Sequence, residues 1–371
     1  MPPKLSKQIP SNGIPSNLLI NELAYQYKYD ERNRMVMKRI PGKNWEILTY
    51  DVLDRVISIG PVLSPFGDGT QGNLHTKYDK FNRIAYTLWT PGLVGIPMGI
   101  MPDQPISETR IPNTSAISGI AFNYSNNVQP KTGQILTVNY YDDYTYINAP
   151  TVPSRVGENG EIGVAYNNSI KPRGLPTGSW TRILKTAAEV DAISSYSLYD
   201  KKSRPVRVES QYPNNGKTQV DIRFNFIGDP IYTLTKHKKN GAAQELKVRE
   251  GFGYTDQSRL AWHNHKINNG PTRMLAQNSY DPLGRLHQKE VGNPNILMGT
   301  PLQIVDYKYN IRGWLTDINN VNNLNQSGGG AIDLFAFKIN YDQVDDNVNG
   351  AVKPLYNGNI AKPTGAPPRT I

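Results

Sequence analysis

Polar and apolar residues alternate with a period of two over much of this chain, and one short polar phrase breaks the alternation again and again. Tyr27 and Tyr29, Phe252 and Tyr254, and Tyr307 and Tyr309 are two apart, which on a strand puts each pair on one face. The phrase is a Tyr, then mostly Asp, Asn or Thr, two or more loose positions, a turn-former, and then Arg and an apolar residue, with its letters varying between copies. Its seven copies carry Tyr29, Asp30 and Arg34; Tyr50, Asp51 and Arg55; Tyr78, Asp79 and Arg83; Tyr199, Asp200 and Arg204; Tyr254 and Arg259; Tyr280, Asp281, Gly284 and Arg285; and Tyr309, Gly313 and Trp314. The fifth position is Asn33, Asp54, Asn82, Ser203, Ser258, Gly284 or Gly313. Asn, Asp and Gly accept a left-handed backbone, and a short polar side chain at a turn entrance can bind the backbone two residues on. Each copy therefore reads as the corner of a β-hairpin. A motif recurring every few tens of residues marks a repeat architecture, so the expected fold class is all-β, built from repeated antiparallel β-hairpins.

Successive motif tyrosines lie 21, 28, 121, 55, 26 and 29 residues apart, and the 55-residue interval has room for an unmarked copy. Val220–Tyr232 is that copy, with a Phe in place of the Tyr and Gly228-Asp229 in the turn. The long interval between Tyr78 and Tyr199 is different: 91–177 is rich in Gly, Pro, Asn and Ser, with one strand-like island at 135–144. The expected organisation is an N-terminal extension (1–16), a first hairpin array (17–90), an irregular insertion (91–177), a second array (178–345) and a Pro/Gly-rich tail (346–371).

Composition narrows the function. Hydrophobic residues make up 37% of the 371, which spreads core volume thin, and 22 Tyr against 8 Phe suits wide sheets whose aromatic ladders keep their hydroxyls hydrated. Zero Cys excludes disulfides, thiolate metal sites and a Cys nucleophile. The net charge of +10 could attract nucleic acid, but outside Lys236-His237-Lys238-Lys239 the positive residues are scattered along the hairpins, whereas a nucleic-acid footprint is a concentrated stripe. No stretch is long and apolar enough to span a bilayer, and Met1–Pro10 lacks the apolar run of a signal peptide.

In these motifs the sequence resembles the YD-repeat, or RHS, family of large bacterial exported proteins. The likeness is clearest over Tyr199–Asn225, His263–Gly270, Tyr280–Val291, Tyr307–Asn319 and Asp333–Tyr341, with Tyr29–Val56 similar too. The resemblance implies a long β-sheet strip that curves or spirals into a hollow shell, enclosing a C-terminal toxin in toxin-bearing members. It also implies an extracellular or cell-surface location, and as partners the remaining shell segments, other chains pairing at open sheet edges, and a toxin cargo. Family members release the toxin through a self-cleaving core segment after the last repeats. The present residues end at Pro363–Ile371 without that segment, so the expectation is a non-catalytic piece of shell wall, with no cofactor or metal.

Other chemistry is read against blander explanations. His263 and His265 share a strand face and could hold a metal, yet ordinary hairpin positions account for them. Asp142-Asp143 reads as a turn at a strand end rather than an acid pair. Ser327-Gly328-Gly329-Gly330 reads as a flexible linker, and Lys185–Ser194 has modest helical character. The motif Asp and Arg residues are expected to pair between neighbouring hairpins or to satisfy turn carbonyls. Trp45, Trp89, Trp180, Trp262 and Trp314 read as cross-strand packing. Carbohydrate binding by a cell-surface adhesin is the alternative function, which a group of aromatics outside the repeat frame would favour. A Tyr-lined hydrolase is a third reading, for which the sequence identifies no acids.

Overall fold

The computed structural model describes residues 13, 16–92, 106–293, 300–325, 332–344 and 352–366. The fold is all-β. Its strands are β1 (Gln26–Tyr29), β2 (Met35–Arg39), β3 (Glu46–Tyr50), β4 (Val56–Leu63), β5 (Gln71–Tyr78), β6 (Ile84–Pro91), β7 (Arg110–Ile117), β8 (Ile120–Tyr124), β9 (Gln134–Tyr141), β10 (Arg155–Val156), β11 (Ile162–Gly163), β12 (Pro176–Arg182), β13 (Ala192–Tyr199) and β14 (Pro205–Gln211). They continue as β15 (Lys217–Phe224), β16 (Pro230–Lys238), β17 (Leu246–Tyr254), β18 (Leu260–Ile267), β19 (Arg273–Tyr280), β20 (Leu286–Asn293), β21 (Gln303–Tyr309), β22 (Leu315–Ile318), β23 (Ala336–Asn340) and β24 (Lys362–Ala366). A short helix, α1 (Asn17–Leu23), precedes them, capped by the Ser16 hydroxyl accepting from the Leu19 N–H.

The chain forms two compact units, one of Met1–Val156, Gly163–Lys217 and Lys239–Ala242, the other of Gly157–Ile162, Thr218–Lys238 and Ala243–Ile371. In the first, antiparallel pairing runs β1-β2-β3-β4-β5-β6-β9-β12-β13-β14. The hairpin of β7 and β8 lies outside this ladder. In the second unit the ladder runs from β16 through consecutive strands to β24.

The corners form because each residue type in the phrase meets one backbone requirement. The N–H of the second residue donates to the carbonyl of the sixth and the N–H of the fifth to the carbonyl of the second, as in Asp30–Arg34 (3.0 Å) and Asn33–Asp30 (3.0 Å). The fifth residue is left-handed in all seven copies, with φ from 57° at Ser258 to 80° at Gly313. The side chain of the second residue closes the loop from inside: Asp30 Oδ1 accepts from the N–H groups of Arg32 and Arg34. Asp51, Asp79 and Asp200 repeat both bonds, while Thr255 and Asn310 make them with a hydroxyl and an amide oxygen. A turn followed by a left-handed residue is the three-residue hairpin loop that carries a bulge. Pairing accordingly shifts beside each motif Tyr: Tyr280 faces Leu286, Ser279 faces Gln288, and His287 is passed over.

The unmarked copy is a variant of this corner, with the side chain accepting from the fifth and sixth N–H groups instead of the fourth and sixth. Phe224 precedes Asn225, whose N–H donates to the Asp229 carbonyl (2.8 Å) and whose Oδ1 accepts from Gly228 and Asp229, with Gly228 at φ 126°.

Two further copies were hidden by long inserts at their tips. Tyr141 pairs with Pro176, and the Asp142 N–H donates to the Leu175 carbonyl (3.1 Å), the frame of a corner whose loop is replaced by 143–174. Tyr341-Asp342 likewise follows β23, whose partner strand is β24, and the Tyr341 carbonyl accepts from the Leu355 N–H (2.8 Å).

Two expectations change as a result. The island at 135–144 is β9, an interior strand between β6 and β12, so the ladder continues where 91–177 was read as a break between arrays. The tail read at 346–371 contains the paired strand β24. Lys185–Ser194 is not helical: it runs through the loop between β12 and β13, where Lys185 reaches Asp191 (2.8 Å), and into β13. The linker read at Ser327–Gly330 and most of the N-terminal extension lie outside the described residues.

The units differ in depth. Ala85, Tyr86, Leu88, Phe122, Tyr124 and Ile135 are wholly buried where β8 and its neighbours cover β6 and β9. In β18 to β22 nearly every residue is half-buried whichever face it occupies. Such a sheet gains little from a core and depends on contacts in its own plane.

Candidate functional site

The motif side chains clasp successive corners together. The Tyr50 hydroxyl donates to the Met35 carbonyl (2.8 Å), Tyr78 to Val56 (2.9 Å) and Tyr141 to Ile84 (3.1 Å). Tyr199 donates to Pro176 (2.5 Å), Tyr254 to Pro230 (3.0 Å), Tyr280 to Leu260 (2.8 Å), Tyr309 to Leu286 (3.0 Å) and Tyr341 to Leu315 (3.1 Å). In every case but one the acceptor is the seventh residue of the preceding corner, and Pro176, which faces Tyr141 after the long insert, holds the equivalent place for Tyr199. At Phe224 there is no hydroxyl to donate. Among the described residues Tyr29 is the first of the series, and it is 60% exposed.

The motif Arg completes each clasp. Its Nε binds the Asp of its own corner, at 2.7 Å for Arg34–Asp30, Arg55–Asp51, Arg83–Asp79, Arg204–Asp200 and Arg285–Asp281. Asp–Arg pairs thus form within a hairpin, four residues apart, because the tight turn folds the Arg back over its own Asp, and they form between hairpins as well, at Arg34–Asp54 and Arg83–Asp142. The guanidinium then stacks on the Tyr of the next corner: Arg34 on Tyr50 (4.8 Å), Arg55 on Tyr78 (4.6 Å), Arg83 on Tyr141 (4.3 Å) and Arg285 on Tyr309 (4.9 Å). Its remaining nitrogens reach the next turn, Arg34 at Asp54 (2.5 Å), Arg55 at Asn82 (2.8 Å) and Arg285 at the Asn310 carbonyl (3.2 Å). Arg259 lies so close to Gly284 that a Cβ there would fall 2.0 Å from its Nη2. Trp314 stands where other copies have Arg, and its ring packs on Tyr341 at 5.1 Å. Backbone N–H bonds from its own corner, Arg285 first, hold the Asp281 carboxyl below the usual carboxylate range.

The other candidates have structural surroundings. Asp142 binds Arg83 through both oxygens (2.9 and 2.6 Å), which lowers its pKa, whereas Asp143 faces Arg110 (3.1 Å); the neighbours are turned to different cations. His263 Nε2 donates to the Glu250 carboxylate (3.0 Å), and its ring stacks on Phe252. Among the described residues no group of three His, Asp or Glu is placed to hold a metal. His237 bonds Thr218 (2.8 Å) near the end of β16. Trp89 is buried, Trp45 lies beneath Lys28, and the Trp262 ring fills the space above Gly253.

One buried polar cluster escaped the sequence reading. On β5, Asn73, His75 and Lys77 alternate with Leu74 and Thr76 and look like a solvent-facing stripe, yet all three are buried: Asn73 bonds the Gly92 carbonyl, His75 the Thr90 hydroxyl, and residues 128–129 cover Lys77. Glu108, fully buried, accepts from the Tyr86 hydroxyl (2.9 Å), the Ser125 hydroxyl (2.6 Å) and the N–H groups of Asn127 (2.9 Å) and Val128 (3.0 Å). Lys77 donates to the carbonyls of Val128 (2.9 Å) and Gln129. Burial pushes the Lys77 ammonium down to about 7, against the pull of Glu108, and pushes His75 down to about 4. From this cluster a file of rings leads outward, with Tyr124 stacked on Tyr140 (5.9 Å) and Tyr140 on Tyr146 (4.3 Å), Arg110 lying against all three.

Two solved structures resemble the chain. The crystal structure of TcdB2-TccC3 without its hypervariable C-terminal region is 10% identical over 85% of this chain and 19% of that one, with a TM-score of 0.22. The Photorhabdus luminescens Tc holotoxin pore is 10% identical over 91% of this chain and 22% of that one, with a TM-score of 0.18. The chain spans about a fifth of the length of either match, at 19% and 22%. No protein-family model and no curated protein matches it.

Two outcomes are expected. Tyr280→Phe removes one hydroxyl from one clasp and leaves the ring in place, so stability falls by about 1 kcal/mol with an unchanged denaturant slope, measured by urea unfolding. Lys77 binds its proton more weakly folded, at about 7, than unfolded, at 10.5. Between those values the unfolded chain holds more protons, so stability rises with pH. Unfolding midpoints at pH 7 and pH 9 should therefore climb more steeply in the native chain than in Lys77→Met.

Proposed function

We propose that this chain is a length of wall in an RHS-type β-shell and acts without catalysis, by enclosing or presenting a cargo domain. The observation that carries this reading is the clasp. Each new corner adds a Tyr hydroxyl to the previous corner's backbone and receives an Arg stacked on its ring, so a single layer of hairpins is stitched along one rim. A sheet held this way can extend without a second layer, which is what a wall requires and a compact enzyme core does not. The extended phrase likeness to the RHS family supports the same reading. On this reading the partners are the adjoining shell segments and a toxin or other cargo, and the setting is extracellular.

Among the described residues β1 pairs only with β2, and β24 only with β23. Unpaired strand edges invite further strands, so these two are where adjoining wall attaches.

The test is electron cryo-microscopy of the chain with whatever co-purifies from its native source. The expected result is a wall of hairpins curling around internal density, with added strands against β1 or β24. An open sheet with solvent on both faces and both edges bare would contradict the proposal, as would turnover of any polysaccharide by the purified chain.

A further inference from the structure

The first unit has a cleft of about 300 Å³ that the clasp does not use. Its floor is one face of the sheet, fixed by register. Val138, Trp180, Ser194 and Gln211 lie side by side across β9, β12, β13 and β14, and Tyr140, Gly178, Tyr196 and Glu209 form the next row. Residues directly opposite in a ladder point the same way, so Trp180 and Tyr196 turn to the same side. Both are half-buried. The walls come from the turn at Gly119–Ala121 and the loop Tyr146–Asn148.

These walls are held in place. The Tyr146 ring lies on Tyr140 and over Gly178, where any Cβ would fall 2.2 Å from its hydroxyl, and that hydroxyl donates to the Thr177 carbonyl (2.9 Å). The Ile147 N–H donates to Asn123 Oδ1 (2.7 Å). Tyr140, Tyr146, Trp180 and Tyr196 all stand outside the repeat frame: register gathers the three strand residues, and the insert in the Tyr141 corner folds back to add Tyr146.

We infer that this cleft binds an uncharged carbohydrate. Flat rings offer their faces to the C–H side of a sugar, while Ser194, Asn148 and Gln211 supply hydroxyl and amide groups to its hydroxyls. The lining holds no Lys, Arg or His, so nothing in it would hold a phosphate or a carboxylate, and the one carboxylate of the floor rows, Glu209, accepts from the Gln211 amide (3.2 Å). The volume lies at the small end for ligand sites and suits one or two sugar rings. Preformed walls lower the ordering cost of binding.

The test is a glycan array probed with the intact chain, followed by titration calorimetry with lactose, cellobiose, chitobiose and methyl α-mannoside, and with sialyllactose as a charged comparator. At least one neutral sugar is expected to bind, about tenfold more weakly to Trp180→Ala and to Gln211→Ala, and equally well to Trp314→Ala. Gln211 is exposed, so its substitution keeps the test decisive if Trp180→Ala fails to fold. Absence of binding by every neutral sugar, binding indifferent to both substitutions, or equal binding of sialyllactose would overturn the assignment. The shell proposal stands or falls separately, since a wall needs no sugar.

Discussion

Everything regular in this protein depends on the contact between one hairpin corner and the next. A Tyr hydroxyl meets a backbone carbonyl on one side, and an Arg already fastened to its own Asp lies across that Tyr ring. Neither contact is large: a net hydrogen bond and an exposed cation–π pair each contribute about 1 kcal/mol or less. Their weight comes from repetition and from where they act. In β18 to β22 the sheet has no deeply buried face, so the choice of register between hairpins rests on ladder bonds and on these corner contacts. The Asp has three tasks at once, binding two N–H groups and an Arg, and Thr255 or Asn310 can take over the first two but not the third. Where the Arg is lost altogether, at Trp314, another flat side chain occupies the space over the next Tyr.

The repeat was legible because turn chemistry is local. A left-handed fifth residue and a short polar second residue are needed whatever surrounds them, so seven corners and the Phe-bearing eighth could be read from their letters. Tyr141-Asp142 and Tyr341-Asp342 carry the same opening letters but could not be read as corners. Their loops have grown to tens of residues, and the returning Pro176 and Lys362 lie far along the chain. For the same reason β9 looked like an island when it is an interior strand.

The candidate sites were less legible, because they arise from what covers the sheet. Asn73, His75 and Lys77 have the alternation of a solvent face yet are buried, and for Lys77 the covering segment includes Val128 and Gln129, with burial lowering its pKa. Tyr140, Trp180 and Tyr196 are spread over the sequence and are assembled by strand register rather than spacing, and Tyr146 joins them from the loop that folds over Gly178. Inserts therefore leave the ladder intact: the connection between β6 and β9 supplies a second layer and the buried polar cluster, and the insert in the Tyr141 corner supplies a wall of the cleft. The plain hairpins build the sheet, and the elaborated one carries the features that look like recognition.

The most direct measurement of the corner contact is a pair of double-mutant cycles in urea unfolding. Arg285→Met with Tyr309→Leu joins neighbours in the series, and Arg259→Met with Tyr309→Leu joins residues one corner further apart. The account predicts a coupling of about 0.5–1 kcal/mol for the first cycle and none for the second. Zero coupling in the first, or equal coupling in both, would mean that the hairpins are held in register by something other than the contact between adjacent corners.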